Sequence, residues 1–215
     1  NTWAATFGIA LFGKIENVHV EIVDFAASAS GIAMYAYASH SDGTQTVNAG
    51  AEMYDSSVRM NLSAAVTGGS EGGGFFLRVN GDGYAGKFVN NYFINEQVTY
   101  TNGWGNTANS LLKDKLEATG NLNYILSDMT QLTAQTYEGG NTPVPISLEG
   151  AVSSEETEII LFDGNRIADY TLNTAEGNTE ILLDAAVFKG VENGNHELLI
   201  LYGGVGYSVE LTVNV

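Results

Sequence analysis

Cysteine is absent from this chain of 215 residues, and proline occurs only twice. Without cysteine, neither disulfide bonds nor thiolate metal sites can form, so stability has to come from a packed apolar core. The chain length and the apolar fraction of 44% are sufficient for such a core. The 26 glycines, set against two prolines, are typical of many tight turns rather than of an extended linker.

Basic side chains are also scarce. Eight Lys and Arg residues stand against 25 Asp and Glu, which gives a formal net charge of −17, and the acidic residues are spread along the whole chain. Nucleic acids and anionic membrane surfaces are both bound through clustered basic groups, which this sequence lacks. The apolar run at residues 4–12 is too short to cross a bilayer. We therefore expect no nucleic-acid partner and no membrane insertion.

Apolar residues recur mainly at every second position, which is the period of a β-strand with one buried face. The clearest case is the last segment, where Val209, Leu211, Val213 and Val215 alternate with polar residues. The turn signals Asp42-Gly43 and Asn80-Gly81-Asp82-Gly83 each lie between alternating segments and predict β-hairpins. Further strands are predicted at 1–12, 17–25, 32–40, 45–49, 58–66, 75–79, 84–89, 146–152, 158–162, 166–172 and 178–183.

The apolar period changes after Trp104. Leucines and other apolar residues three and four apart predict one or two helices near 107–135. Both prolines then occur within 139–145, next to Gly-Gly, which indicates a domain boundary. The sequence therefore predicts a mostly β protein of two domains. Residues 1–140 form an antiparallel β domain with the helical segment, and residues 145–215 form a sandwich.

The second domain carries a resemblance. From Asn178 the order is a strand, a short turn with the apolar anchors Phe188 and Val191, Gly-Asn-His-Glu-Leu, a strand, a glycine-rich turn and a final alternating strand. Over the last ~70 residues this layout resembles the immunoglobulin-like modules of bacterial surface proteins and cellulosomal scaffoldins. The resemblance implies a spacing or stabilising role and supplies no catalytic residues. Residues 1–140 resemble no family.

Catalytic and metal-binding patterns are weak. The three histidines, His19, His40 and His196, do not have metal-ligand spacing on one element, and His196 directly precedes a strand, which favours a structural role. No serine lies in a Gly-x-Ser-x-Gly elbow. Asn80 and Asp82 offer oxygen ligands, but the spacing of a calcium loop is missing, so a hairpin turn is preferred. We expect no catalytic residue, no metal, no cofactor and no enzymatic activity, although a site assembled from distant residues stays open.

Aromatic and amide side chains are interleaved between residues 84 and 106. Aromatic faces stack on the apolar faces of sugar rings, and amides both donate and accept hydrogen bonds. This mixture predicts a ligand surface formed by Tyr92, Tyr100 and Trp104. The alternative is that these rings belong to the core, since tyrosine is common in half-buried strands.

These patterns together favour a non-enzymatic, extracellular or cell-surface module for glycan contact, adhesion or spacing. A start at Asn1 rather than Met fits a processed, exported chain. The partner would be a glycan or a surface protein. The alternative is a structural subunit of a virion or extracellular filament, in which the apolar segment 1–12 engages a neighbouring copy and the chain self-assembles.

Overall fold

The computed structural model describes residues 3–5, 10–11, 13–22, 28–30, 33–37, 40–41, 46–47, 52–60, 76–80, 88–95, 123–126, 128–148, 158–175 and 177–215. The chain divides into two compact units, Asn1–Asp128 and Met129–Val215. Nearly all of the described structure is β, so the predicted mostly-β class is confirmed. Within the described residues, no helix is long and apolar enough to cross a membrane.

The first unit contains fourteen described strands. They are β1 Trp3–Ala5, β2 Ala10–Leu11, β3 Lys14–Glu16, β4 His19–Ile22, β5 Ser28–Ser30, β6 Ala33–Tyr37, β7 His40–Ser41, β8 Thr46–Val47, β9 Glu52–Tyr54, β10 Ser57–Met60, β11 Phe76–Asn80, β12 Phe88–Val89, β13 Asn91–Asn95 and β14 Asn123–Leu126.

Parallel pairing organises these strands into stacked coils. One sheet has the order β14-β13-β10-β4, a second β12-β9-β3 and a third β11-β6-β2. In the first sheet, His19 pairs with Ser57, Ser57 with Tyr92, and Tyr92 with Tyr124. His19 and Ser57 are 38 residues apart, so each coil brings the chain back to the same sheet one strand further along. This is the arrangement of a parallel β-solenoid.

The corner between the second and first sheets is built in the same way in three successive coils. Asn17, Asp55 and Asn90 lie there with φ of 56°, 46° and 54°. Asparagine and aspartate tolerate this left-handed conformation better than other residues with a Cβ. The backbone ladder continues through the corner, because Asn17 N–H donates to Tyr54 O and Asp55 N–H to Val89 O, each at 3.1 Å. The Asn90 amide also donates to the Asp55 carboxylate at 2.6 Å.

Behind this corner the interior contains both apolar and polar side chains. Ile15, Met53 and Phe88 pair in register and are all buried. Asn91 is fully buried, accepts a hydrogen bond from Ser56 N–H at 3.1 Å and donates to Met53 O at 3.0 Å. A buried backbone group without a partner costs free energy, so Asn91 stabilises the corner by satisfying two of them.

The antiparallel pairing predicted for residues 1–140 is wrong for most of the described strands. In the first unit, the described antiparallel pairing is that of β7 with β8, which flank the segment predicted to form the Asp42-Gly43 turn. Residues 81–87 of the hairpin predicted around Asn80-Gly81-Asp82-Gly83 lie outside the described residues, and the strands on either side pair in parallel elsewhere, β11 with β6 and β12 with β9. Alternation identifies a strand, but it carries no information on the direction of the partner.

The helical segment predicted near 107–135 is also wrong in its described part. Residues 123–126 form β14, 130–131 form a strand and 135–137 form another, while 107–122 lie outside the described residues. The apolar spacing of three and four is produced by short strands of two different units. Parallel pairing of β14 with β13 overrides the local helical pattern, because it satisfies the same backbone groups and packs Tyr124 on Tyr92.

The described part of the second unit contains nine strands and a 3₁₀ helix. These are β15 Thr130–Gln131, β16 Gln135–Tyr137, β17 Val144–Leu148, β18 Ile159–Phe162, β19 Asn165–Arg166, β20 Tyr170–Ala175, β21 Asn178–Leu183, the helix Ala185–Phe188, β22 Gly194–Tyr202 and β23 Val205–Val213. The predicted boundary at 139–145 falls inside this unit, since β15 and β16 both pair with β23.

Two sheets face each other in this unit. One has the order β15-β23-β22-β18-β19, with β16 also on β23, and the other has the order β17-β21-β20. Buried residues from both sheets form one core, including Ile146 and Ile181 on one side and Ile200 and Leu211 on the other. Phe188 extends this core by stacking on Tyr137 with ring centroids 4.1 Å apart. This strand order and core are those of an immunoglobulin-like sandwich, as predicted.

Local turn and cap signals in the second unit are confirmed. Asp163 and Gly164 take φ of 47° and 76° between β18 and β19, as an Asp-Gly hairpin turn requires. The Asp184 carboxylate accepts a hydrogen bond from Ala186 N–H at 2.8 Å and caps the 3₁₀ helix. Val209, Leu211 and Val213 are fully buried, whereas Val215 lies beyond the end of β23 and is 74% exposed.

The buried amide of Asn91 gives a direct test of the solenoid corner. Substitution Asn91→Ala leaves Ser56 N–H and Met53 O without this partner, and we expect the free energy of unfolding of the first unit to fall by about 3 kcal/mol. Both tryptophans, Trp3 and Trp104, belong to the first unit, so tryptophan fluorescence during urea denaturation reports on that unit alone.

The matched control is Glu16→Ala, which removes an exposed ion pair with Lys14. Exposed pairs contribute little, so the urea midpoint of this variant should be close to that of the unmodified chain. An Asn91→Ala variant as stable as the control would contradict the structural role assigned to the amide.

Candidate functional site

Of the three residues predicted to line a ligand surface, Tyr92 lies within the part of the chain that the structure describes. Tyr92 lies on β13 with none of its surface exposed, and its ring stacks on that of Tyr124 with centroids 4.6 Å apart. In this structure Tyr92 therefore belongs to the packed interior of the first unit and is not accessible to a ligand. Tyr100 and Trp104 lie outside the described residues, so the surface proposed for them stays a prediction.

The second unit contains a cleft that the sequence did not indicate. Its volume is about 530 Å³, and it lies between the β15–β16 segment, β17 and Tyr207 of β23. The apolar part of the lining is formed by Leu132, Ile146 and Tyr207, all of which pack on or within the sandwich core. Because these residues belong to the core, the cleft has a rigid floor.

Polar side chains without charge form the rest of the lining. They are Thr130, Gln131, Thr133, Gln135 and Ser147. The Gln131 amide oxygen accepts a hydrogen bond from Ser208 Oγ at 2.7 Å, which orients this side chain. The Gln135 amide nitrogen donates to Thr133 O at 3.3 Å. The lining segment Thr-Gln-Leu-Thr-Ala-Gln at 130–135 belongs to the region in which the sequence predicts a helix.

An acidic depression lies on the other side of Gln131. Its volume is about 370 Å³, and its lining includes His196, Glu197, Ser208 and Glu210. No three His, Asp or Glu side chains lie close enough to hold a metal ion in the part of the chain that the structure describes. The two depressions therefore differ in charge, although they share one glutamine.

His196 connects the β22 strand to the hairpin turn between β18 and β19. Its Nδ1 lies 2.6 Å from the Asp163 carboxylate and its Nε2 lies 2.9 Å from Glu192 O, while its ring stacks on Phe162. The other Asp163 carboxylate oxygen accepts a hydrogen bond from Glu197 N–H at 3.0 Å. The hydrogen bond to Asp163 raises the pKa of His196 above its usual range. With both ring nitrogens engaged, His196 serves the structural role expected from the sequence.

The Asp163 contact predicts a pH dependence of stability. The pKa of His196 is raised in the folded state, so its stabilising contribution is complete below the unfolded value of 6.5 and is lost as pH rises through the folded pKa. We expect Asp163→Asn to bring the His196 pKa down towards 6.5 and to destabilise the second unit more at low than at high pH. NMR titration of the imidazole and urea denaturation at several pH values measure both effects.

The asparagine variant is a controlled change, since asparagine keeps an oxygen for Glu197 N–H and tolerates the left-handed backbone of residue 163. The backbone amide signals of the first unit serve as the internal reference and should be the same in both proteins. A His196 pKa that the variant leaves unchanged would contradict the assigned cause.

Comparisons with known proteins were made for the whole chain. No family model matches it, and no curated protein matches it significantly. Among solved structures, it is similar to an "IG27 protein domain" (13% identity, 40% of this chain, 88% of that chain, TM-score 0.28). It is also similar to an "M1 domain from titin" (14% identity, 39% of this chain, 90% of that chain, TM-score 0.27). At these TM-scores the likenesses carry no functional argument, and the immunoglobulin-like fold of the second unit stands on its own strand order.

Proposed function

We propose that this chain is a non-enzymatic, extracellular or cell-surface module whose main role is spacing under load, within an assembly that adheres to glycans or surface proteins. The observation that supports this most directly is the pairing of the second unit's terminal strands. β15 and β16 at its beginning run parallel to β23 at its end.

Parallel terminal strands determine where the chain enters and leaves the sandwich. Thr130 pairs with Tyr207 and Tyr137 with Val213, so both strands progress in the same direction. The chain therefore enters the unit at one end of this strand pair and leaves it at the other. Tension applied along the chain acts on the bonds between these strands in shear, so that they resist together rather than opening one after another.

Several hydrogen bonds secure this terminal pair. Leu132 N–H donates to Ser208 O and Asn214 N–H donates to Tyr137 O, each at 2.9 Å. Asn193 adds side-chain bonds to both the N–H and the carbonyl of Val215, also at 2.9 Å. The last residue of the strand region is thereby attached to the loop before β22.

The course of the chain through the first unit supports the same spacing role. β4 and β14 occupy opposite edges of one four-stranded sheet, so the chain advances through the unit one coil at a time. The corner of Asn17, Asp55 and Asn90 links these coils by backbone hydrogen bonds. A net charge of −17 favours a hydrated, self-repelling surface, which suits an exposed spacer.

The proposed extracellular location is also supported by the layout of residues 178–215, which resembles that of bacterial surface modules. Tyr100 and Trp104 are the glycan contacts that we propose in the first unit.

Force spectroscopy tests the load-bearing role. Asn214→Pro removes the N–H that donates to Tyr137 O, and we expect a lower unfolding force for the second unit when the chain is stretched between its ends. The unfolding event of this unit is recognised by an extension of about 300 Å, at ~3.5 Å per residue. Asn214→Ala keeps the N–H and is the matched control, expected to unfold at the unmodified force.

Two results would argue against this function. A proline variant that unfolds at the same force as the alanine variant would remove the load-bearing argument. A mass in light scattering that rises with protein concentration would instead favour the virion or filament subunit, because a spacer carrying a net charge of −17 should stay monomeric.

A further inference from the structure

We propose that the cleft lined by Thr130, Gln135, Ile146 and Tyr207 binds a neutral oligosaccharide. This site lies in the second unit, whereas Tyr100 and Trp104 belong to the first. It does not depend on the spacing role, because a spacer needs no ligand.

The dimensions of the cleft suit a small ligand. Its volume of about 530 Å³ lies within the range of roughly 300–1,000 Å³ that is common for small-molecule sites. Ile146 is only 2% exposed and belongs to the sandwich core, and Leu132 and Tyr207 pack against that core. A ligand would therefore find a preformed floor, which reduces the entropic cost of binding.

The hydrogen-bonding groups of the cleft match those of sugars. Sugar hydroxyls both donate and accept, and so do the Gln135 amide and the hydroxyls of Thr130 and Tyr207. Gln131 is paired with Ser208 and bonded to its hydroxyl, so its amide lies on the other face of β23 and takes no part in the cleft. Gln135 donates to Thr133 O and leaves its amide oxygen as an acceptor. The Gln135 acceptor and the Tyr207 hydroxyl, which packs on the core, are a basis for selecting one arrangement of sugar hydroxyl groups.

Charge excludes the other common classes of small ligand. All eight lining residues are uncharged, in a chain with 25 acidic residues. Cationic ligands find no carboxylate in the cleft and are drawn to the neighbouring depression with Glu197 and Glu210. Anionic ligands are repelled by the net charge of −17. A neutral polyhydroxyl ligand needs no carboxylate partner and is not repelled by the negative charge of the chain.

Tyr207 supplies the aromatic component. Its ring is half-buried at the cleft, and burial raises the pKa of its hydroxyl above the usual value. The hydroxyl therefore stays protonated at neutral pH and can donate as well as accept. An aromatic ring with such a hydroxyl is a common partner for a sugar face.

A peptide is the competing ligand, because β17 forms the edge of its three-stranded sheet among the described residues. Strand addition at such an edge requires an uninterrupted row of backbone donors and acceptors. Pro145 lies within β17 and has no N–H, and proline on an edge strand is a known protection against strand addition. The edge is therefore poorly suited to an extended peptide.

The experiment uses the full chain on an array of neutral oligosaccharides, acidic oligosaccharides and peptides. The soluble oligosaccharide with the strongest signal is then titrated by calorimetry against the unmodified protein and three variants. We expect binding to a neutral oligosaccharide, weakened roughly tenfold by Gln135→Ala and severalfold by Tyr207→Phe, which removes only the hydroxyl. Asn173→Ala, an exposed amide on β20, is the matched control and should bind normally.

A second measurement needs no variant. In the ¹⁵N spectrum of the unmodified chain, the side-chain amide of Gln135 should shift on addition of that oligosaccharide, while that of Asn173 should not. The proposal is overturned by peptide binding at this cleft, by no binding to any neutral oligosaccharide, or by binding that both variants leave intact. Binding lost in Trp104→Ala but intact in Gln135→Ala would place the contact in the first unit. None of these outcomes alters the unfolding force of the second unit, so the two proposals fail separately.

Discussion

Backbone hydrogen bonding between parallel strands is the constraint on which both units of this chain depend. A parallel strand cannot follow its partner through a tight turn, so the chain must travel a long way before it returns. In the first unit it returns after a coil, at positions 38 or 35 residues apart. In the second unit it returns after the whole sandwich, when β23 comes to lie beside β15 and β16.

Long-range pairing makes a few polar residues indispensable, although they take part in no chemistry. Asn17, Asp55 and Asn90 adopt the left-handed conformation that turns the corner, and the Asn91 amide satisfies the backbone groups of the neighbouring coil that the ladder leaves unpaired there. In the second unit Asp163 lies in a hairpin turn, and its carboxylate contacts both the His196 ring and the Glu197 N–H of β22. In both places side-chain oxygens accept hydrogen bonds from backbone N–H groups that have no backbone acceptor. The cleft lies outside these networks, so its polar side chains can vary without loss of the fold.

Much of the local structure could be predicted from the sequence. Alternation identified the strands at 17–25 and 194–215, and Asp163-Gly164 and Asp184 were correctly interpreted as turn and cap. Which strands pair with each other, and in which direction, was predicted less well. The repetition of Lys-Ile-Glu-Asn at 14–17, Glu-Met-Tyr-Asp at 52–55 and Lys-Phe-Val-Asn at 87–90 marks the same corner three times, yet its significance emerges only when these segments are stacked. For the same reason Tyr92, which alternation alone could place on either face, lies in the interior against Tyr124.

The sequence by itself determined that the chain is rich in strands, that Val209, Leu211 and Val213 of β23 face the core, and where tight turns and a helix cap occur. These features depend on neighbouring residues, whose periods and side-chain hydrogen bonds are local. The tertiary structure alone decided strand direction, coil stacking, and the convergence of 130–135, 146–147 and Tyr207 on one cleft. These depend on contacts between residues far apart in the chain, and the free energy of such contacts is shared among many weak interactions that no short segment contains.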